Sequence, residues 1–280
     1  MRIFITGIGG FLGASLAAHW RSEGHRISGT SSSATGDGIV RHCLGDPPPA
    51  VALAGQDVVV HCSHDFSPEA TERNREGTRA MFAAAQAGGV RRQIYVGSYS
   101  ARPDSLSRYG ANKFVIERDI LASGGCVIRP GLVAGPGGMF ATLVRDLSRR
   151  SFAPLVYPDA KAVAMIGLPD LLAACSALLE PTERRAWNLF STPLISLREF
   201  VEAVWRAQGC LGRVMGVPPW LASGGLRIAG LLGIASPTGL DSLRSQLANQ
   251  QPVHRSDLLQ LVPRPASGIA AVEEGARQCL

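Results

Sequence analysis

Three clusters of residues have the types and spacing to do chemistry. The first is Thr6-Gly7-Ile8-Gly9-Gly10-Phe11-Leu12-Gly13, a glycine loop that follows an apolar strand and opens a helix. In that context glycines allow a tight turn and a close approach of backbone to a pyrophosphate, whose charge then rests on the helix N-terminus. The spacing is Gly7-x-x-Gly10-x-x-Gly13 rather than GxGxxG, and an ordinary strand–helix turn is the competing reading. The second cluster is Tyr109-Gly110-Ala111-Asn112-Lys113, on the first turn of an expected helix. Tyrosine and lysine at this spacing share one helical face. The ammonium favours the phenolate and so makes the phenol a usable acid/base near neutrality; it can also hold ribose hydroxyls. The third is Ser98 at the carboxyl end of a strand, with Ser100 close behind. A hydroxyl there would face Tyr109 and could hydrogen-bond a carbonyl or alkoxide, although a serine after a strand is usually a turn residue.

A second tyrosine–lysine match, Tyr157-Pro158-Asp159-Ala160-Lys161, competes with the first. Pro158 and Asp159 make it a turn, no helix follows, and no strand delivers a serine nearby, so it reads as chance. Lys113 and Lys161 are the only lysines in the chain, which gives weight to a lysine inside a motif.

The elements that must position these residues alternate. Strands are expected over 2–6, 26–29, 38–44, 57–61, 93–98 and 126–129, and helices over 11–22, 68–88 and 109–123. Such alternation means an α/β fold with a doubly wound parallel (Rossmann) sheet, which binds ligands at the carboxyl ends of its strands. After Pro130 a Gly/Pro loop at 135–138 leads to a helix over 140–150, an irregular stretch to Lys161, a helix over 168–179 and a strand over 187–190. From Ser191 the pattern is mostly helical, with breaks at Pro218-Pro219 and Pro237. The expected division is a dinucleotide-binding domain of residues 1–137 plus 162–190, and a smaller, mostly helical C-terminal substrate lobe of residues 138–161 plus 191–280.

With 280 residues, 46% apolar and 18% charged, the chain can bury a core and is not disordered. Its six cysteines are scattered without a CxxC pair, as in a reduced cytoplasmic protein. Arg2-Ile3-Phe4-Ile5 already reads as a strand, so no signal peptide is expected. The longest apolar stretch, 221–235, is interrupted by Arg227 and four glycines. It falls short of the roughly 20 residues a bilayer span needs, and no membrane partner is expected. The net charge of +6 comes from arginines spaced singly or in pairs, which favours an anionic small molecule over nucleic acid.

Taken in order, TGIGGFLG, Asp46, DVVVHCSH, NREGTRAMFAAAQAGGVRRQIYVGS, YGANK and RPGLVAGPG resemble the extended short-chain dehydrogenase/reductase family, densely over residues 1–190. That family includes NAD(P)-dependent nucleotide-sugar epimerases, dehydratases and reductases. The resemblance implies a catalytic set of Ser98, Tyr109 and Lys113: Tyr109 as acid/base, Ser98 orienting the substrate oxygen, Lys113 tuning Tyr109 and binding ribose. It implies a pyrophosphate loop of Gly7, Gly10, Phe11, Leu12 and Gly13. Asp46 matches the acid that contacts the adenine amino group, Cys62 and Ser63 the small residues beside the cofactor, and Pro130 and Val133 the stretch beside nicotinamide. The implied partner is a small-molecule substrate, with a nucleotide sugar as the candidate and a homodimer as the candidate assembly.

Departures from the family refine this. Where NAD-binding members commonly carry an acid after the second strand, this chain has Thr30, Ser31 and Ser32, which leave room for a 2′-phosphate; NADP is therefore expected over NAD, with no arginine in the loop itself and Arg41 as the candidate partner. Tyr99-Ser100 replaces the Asp-Glu pair that dehydratases need for elimination, so simple hydride transfer at a carbonyl or alcohol carbon is the expected reaction. No metal site is expected from His61, Cys62, His64 and Asp65, because His61 ends a buried strand. No GxSxG or GxxxxGK occurs to support a hydrolase or a P-loop ATPase. The alternative class is a non-catalytic dinucleotide sensor on the same fold, which would have no need of Tyr109 as an acid/base.

Overall fold

A computed structural model describes residues 1–33, 35–67, 69–105, 107–156, 162–180, 183–218 and 254–279. In chain order the elements are β1 (Arg2–Thr6), α1 (Phe11–Ser22), β2 (Arg26–Ser31), β3 (Ile39–Arg41), α2 (Ala50–Leu53), β4 (Val58–His61), α3 (Thr71–Ala87), β5 (Arg92–Val96) and α4 (Arg108–Ala122). They continue with β6 (Cys126–Pro130), β7 (Leu132–Ala134), α5 (Gly138–Ser148), β8 (Phe152–Val156), β9 (Ala162–Val163), β10 (Met165–Gly167) and α6 (Leu168–Ala177). The last are β11 (Ala186–Leu189), β12 (Ile195–Ser196), α7 (Leu197–Gln208), β13 (Arg213–Val217), α8 (Leu258–Leu261) and α9 (Gly268–Arg277).

The central strands are short apolar runs because helices cover both faces of a doubly wound sheet. Ile3, Phe4 and Ile5 of β1 and Val58, Val59 and Val60 of β4 are all buried. Seven strands pair in the order β11-β6-β5-β4-β1-β2-β3, parallel at each pairing from β6 to β3. The chain runs outward through β2 and β3, then returns to lay β4 on the other side of β1. That reversal opens a crevice at the carboxyl ends of β1 and β4, where Thr6 lies opposite His61 and Thr30. One apolar cluster joins Phe4, Leu53, Val59 and Met81; another joins Phe82, Tyr95, Ile116 and Val127 and seats α4 on the sheet.

Contacts group the chain into two units: residues 1–103, 109–130 and 172–188, and residues 104–108, 131–171 and 189–280. This grouping divides the chain at 130 and 172, beside the 137 and 162 of the expected division. The reason is pairing: β7 joins β10 in a separate two-stranded sheet, and α9 packs on both. The second unit also corrects two expectations. The stretch expected to be irregular before Lys161 contains β8, and the mostly helical tail contains β12 and β13. β8 pairs in parallel with β13 from Phe152↔Arg213 onward, and β12 pairs antiparallel with β9. β9 and β12 are two residues each, β8 holds Pro154 and β13 holds Gly216, so none announces itself in sequence without its distant partner. α7 is the best-signalled helix there: Ser196 and Glu199 form a capping box, and Gly209 closes it at φ 64°. The second tyrosine–lysine match and the apolar stretch 221–235, with Pro219 and Pro237, lie outside the described residues. Among those described, no helix is long and apolar enough to cross a membrane.

Candidate active site

The glycine loop is built by close approaches that only glycine permits. Gly7 sits at φ 69°, and a Cβ there would lie 3.0 Å from the Ser63 backbone. A Cβ on Gly13 would lie 2.3 Å from the Gly7 carbonyl oxygen, so the loop could not fold back over α1. The loop is tied to its neighbours: Ile8 N–H donates to Thr30 O at 2.9 Å, Ser63 N–H to Thr6 Oγ1 at 3.1 Å, and Gly7 N–H lies 3.4 Å from Thr30 Oγ1. At its end Gly10 is the N-cap of α1 and supplies no side-chain cap. The first-turn N–H groups of a twelve-residue helix therefore face the crevice without a side-chain acceptor, an arrangement suited to a pyrophosphate. These residues fit a dinucleotide.

Thr30 and Ser31 are buried, and Ser31 Oγ accepts from Ser33 N–H at 3.3 Å, so Ser32 is the exposed hydroxyl of the three. Ser31 is paired with Arg41 across β2 and β3, which sets that cation beside the serine loop. Asp46 is exposed, and its Oδ2 accepts from Cys43 N–H at 2.9 Å within a local turn. Cys62 and Ser63 follow β4 directly; burial pushes the Cys62 thiol up to about 12, so it stays a neutral wall. Pro130 ends β6, and Val133 lies in β7 within the second unit.

The structure brings Ser98, Tyr109 and Lys113 together. Tyr109 and Lys113 stand on the first turns of α4, and Ser98 follows β5. Ser98 Oγ lies 2.9 Å from Ser100 Oγ, and Ser100 N–H donates to Ser98 Oγ at 3.2 Å, which orients the hydroxyl. Lys113 is 3% exposed; its Nζ donates to Val96 O at 2.8 Å and lies 4.8 Å from the Tyr95 ring centroid and 5.8 Å from that of Tyr109. Burial pulls the ammonium down to about 8, against the pull of the nearby Glu117 carboxylate. Tyr109 is 37% exposed as a residue, yet the packing around its phenol raises the pKa, opposed by the Ser98 hydroxyl. In this state the phenol is protonated at neutral pH.

Two features around this set escaped the sequence reading. Glu117, one turn beyond Lys113 on α4, is 1% exposed, and Oε2 accepts from Arg129 Nε at 2.9 Å while Oε1 accepts from Nη2. The signal was present as a carboxylate four residues after the lysine, on the same helical face. The second is a cluster of rings. His64 meets Tyr109 edge-on at 5.2 Å between centroids, and Phe66 stacks on Tyr109 at 5.9 Å and 18°. His61 takes no part: Nε2 donates to Gln93 Oε1 at 2.9 Å inside the sheet layer. Among the described residues, no three His, Cys, Asp or Glu side chains converge to hold a metal ion.

The seven-stranded sheet, the glycine loop at its switch point and the serine–tyrosine–lysine set define a dinucleotide-binding α/β protein of the short-chain dehydrogenase/reductase type. Residues 3–162 match the model of the NAD dependent epimerase/dehydratase family, and the chain belongs to that family. It is 33% identical over 142 residues to a ceramide reductase of Caulobacter vibrioides, covering 48% of this chain and 44% of that protein. It is 29% identical over 189 residues to a 2-alkyl-3-oxoalkanoate reductase of Stenotrophomonas maltophilia, covering 54% of this chain and 56% of that protein. The chain therefore spans about half the length of these relatives. The fold matches the NAD complex of the Thermus thermophilus UDP-glucose 4-epimerase with a TM-score of 0.66 and 17% identity over 100% of both chains.

Proposed function

We propose that this protein is an NAD(P)-dependent carbonyl reductase in which Tyr109 is the proton donor. One arrangement carries the reading: the Ser98 hydroxyl hydrogen-bonds the Tyr109 phenol, and the Lys113 Nζ lies 5.8 Å from the centre of the same ring. A phenol so placed can give its proton to a carbonyl oxygen during reduction. The bound nicotinamide would supply the hydride. The Ser98 hydroxyl hydrogen-bonds the carbonyl oxygen and fixes its direction. Tyr109 Oη delivers a proton to that oxygen, and the Lys113 cation offsets the negative charge left on the phenol. Both relatives matched in sequence carry reductase names, which supports this direction; the UDP-glucose 4-epimerase fold supports a nucleotide sugar as the competing substrate.

Tyr109→Phe removes only the donating oxygen. Turnover is expected to fall by roughly 10²–10⁴-fold with cofactor affinity retained. Full turnover in the Phe variant refutes the assignment.

NADP is the cofactor we favour. No acid stands at the end of β2 to repel a 2′-phosphate, Ser32 offers an exposed hydroxyl, and the register with Ser31 sets Arg41 alongside. Calorimetric titration should show tighter binding of NADP than NAD, and Arg41→Ala should weaken NADP by about tenfold while leaving NAD unchanged, as expected for one phosphate–guanidinium contact. Equal affinities in the wild-type protein overturn this choice.

A further inference from the structure

The loop after β4 is rigidly built, yet it holds a large apolar side chain out to solvent. Asn74, itself buried on α3, clamps the backbone from both sides: Asp65 N–H donates to Asn74 Oδ1 at 2.8 Å, and Asn74 Nδ2 donates to Asp65 O at 2.7 Å. The Asp65 carboxylate accepts from Ser67 N–H at 2.9 Å and from Ser67 Oγ at 2.6 Å, and pairs with Arg73 at 2.8 Å. Phe66 is pinned between these anchors but is 74% exposed. The exposed ring is not isolated: it packs against His64 and Tyr109 on a backbone held by hydrogen bonds. The ring is placed, and its place is against the proposed proton donor.

The ring cluster has no charge to offer a ligand. His64 lies 4.9 Å from Phe66, edge-on at 75°, and 5.2 Å from Tyr109 at 88°. Burial and the neighbouring Lys113 ammonium hold the His64 imidazole down to about 3, against the pull of Asp65, so it is neutral at physiological pH. The Asp65 carboxylate is spent on Ser67 and Arg73. A ligand beside Tyr109 would meet a phenyl face and an uncharged imidazole that offers one donor and one acceptor nitrogen.

Resting on the reductase reading above, we propose that His64 and Phe66 form an apolar wall of the substrate subsite, and that the carbonyl presented to Tyr109 is carried on an alkyl or acyl chain. Phe66 is then a specificity-determining residue: its face covers the methylenes next to the reacting carbon while Tyr109 Oη meets the oxygen. The alkyl nature of the substrates named for the two sequence relatives agrees with such a wall.

The test separates the wall from the chemistry. Thioesters of 3-hydroxybutanoate and 3-hydroxydodecanoate, and UDP-glucose, are titrated calorimetrically into the full chain saturated with whichever of NAD and NADP it binds. The long-chain probe should bind at least about tenfold more tightly than the short one. Phe66→Ala should erase that difference while leaving the short probe within about twofold, and Phe66→Leu should restore most of it. Equal affinity for the two chain lengths in the wild type, an unchanged difference in Phe66→Ala, or tighter binding of UDP-glucose than of either overturns the proposal. Turnover of the matching 3-oxo thioesters is measured in parallel. Chain-length-dependent binding without turnover refutes the reductase reading and leaves the apolar wall standing; turnover indifferent to chain length does the reverse.

Discussion

Replacing Glu117 with glutamine should destabilise the protein and disturb Lys113 together. The carboxylate is 1% exposed and takes two hydrogen bonds from Arg129, whose side chain is 15% exposed. Burial raises the Glu117 pKa, and the guanidinium beside it is the main influence that keeps it charged. Glutamine keeps the shape and one acceptor but leaves the guanidinium without its countercharge. Breaking a buried pair from one side costs about 3–5 kcal/mol, and the retained acceptor puts this variant near ~3 kcal/mol. For a chain of this size that corresponds to a melting temperature lowered by roughly 6–12 °C. Urea unfolding monitored by circular dichroism gives the free energy directly. The double variant with Arg129→Leu should recover at least half of the loss, because the stranded charge is then gone. The same substitution removes a negative charge that supports the Lys113 ammonium, so the alkaline limb of cofactor binding, near pH 8 in the wild type, should move to lower pH. A destabilisation below about 1 kcal/mol with an unmoved alkaline limb would show that neither Arg129 nor Lys113 depends on this carboxylate.

Two further outcomes follow from the glycine loop and the buried histidine. Gly13→Ala places a methyl group 2.3 Å from the Gly7 carbonyl oxygen, so the loop must move; dinucleotide affinity should fall by about tenfold or more in a titration, and unchanged affinity would mean the loop does not bind it. Burial holds His61 down to about 4 against an ordinary 6.5, so its neutral form is favoured by folding. Stability contributed this way is present above pH 6.5 and drains away as pH falls towards about 4, by roughly 3 kcal/mol in total. Urea midpoints measured from pH 7 to pH 5 should show this slope, and His61→Gln should flatten it; an equal slope in both proteins refutes the assignment.

The amino-acid order alone determined the doubly wound architecture, because its signals are local. RIFIT and DVVVH are short β-branched runs of the kind a strand buried on both faces uses, and the glycines of 7–13 follow one and open a helix. The spacing of Tyr109 and Lys113 likewise sets them on one face of a helix whatever the helix packs against. Tertiary structure decided what depends on distant neighbours. The pairing of β7 with β10 groups both with the second unit, and the pairing of β8 with β13 makes strands of two stretches that do not read as strands alone. The electrostatics around Tyr109 and Lys113 likewise depend on distant neighbours. Burial raises the Tyr109 phenol and, separately, pulls the Lys113 ammonium down to about 8, effects that the spacing of the two residues does not carry. The wall formed by His64 and Phe66 had no signature along the chain, because the residues that clamp it, Asn74 and Arg73, come from the following helix. Local backbone preference is written in short stretches of sequence, whereas solvation and side-chain contact belong to groups that only the folded chain brings into range.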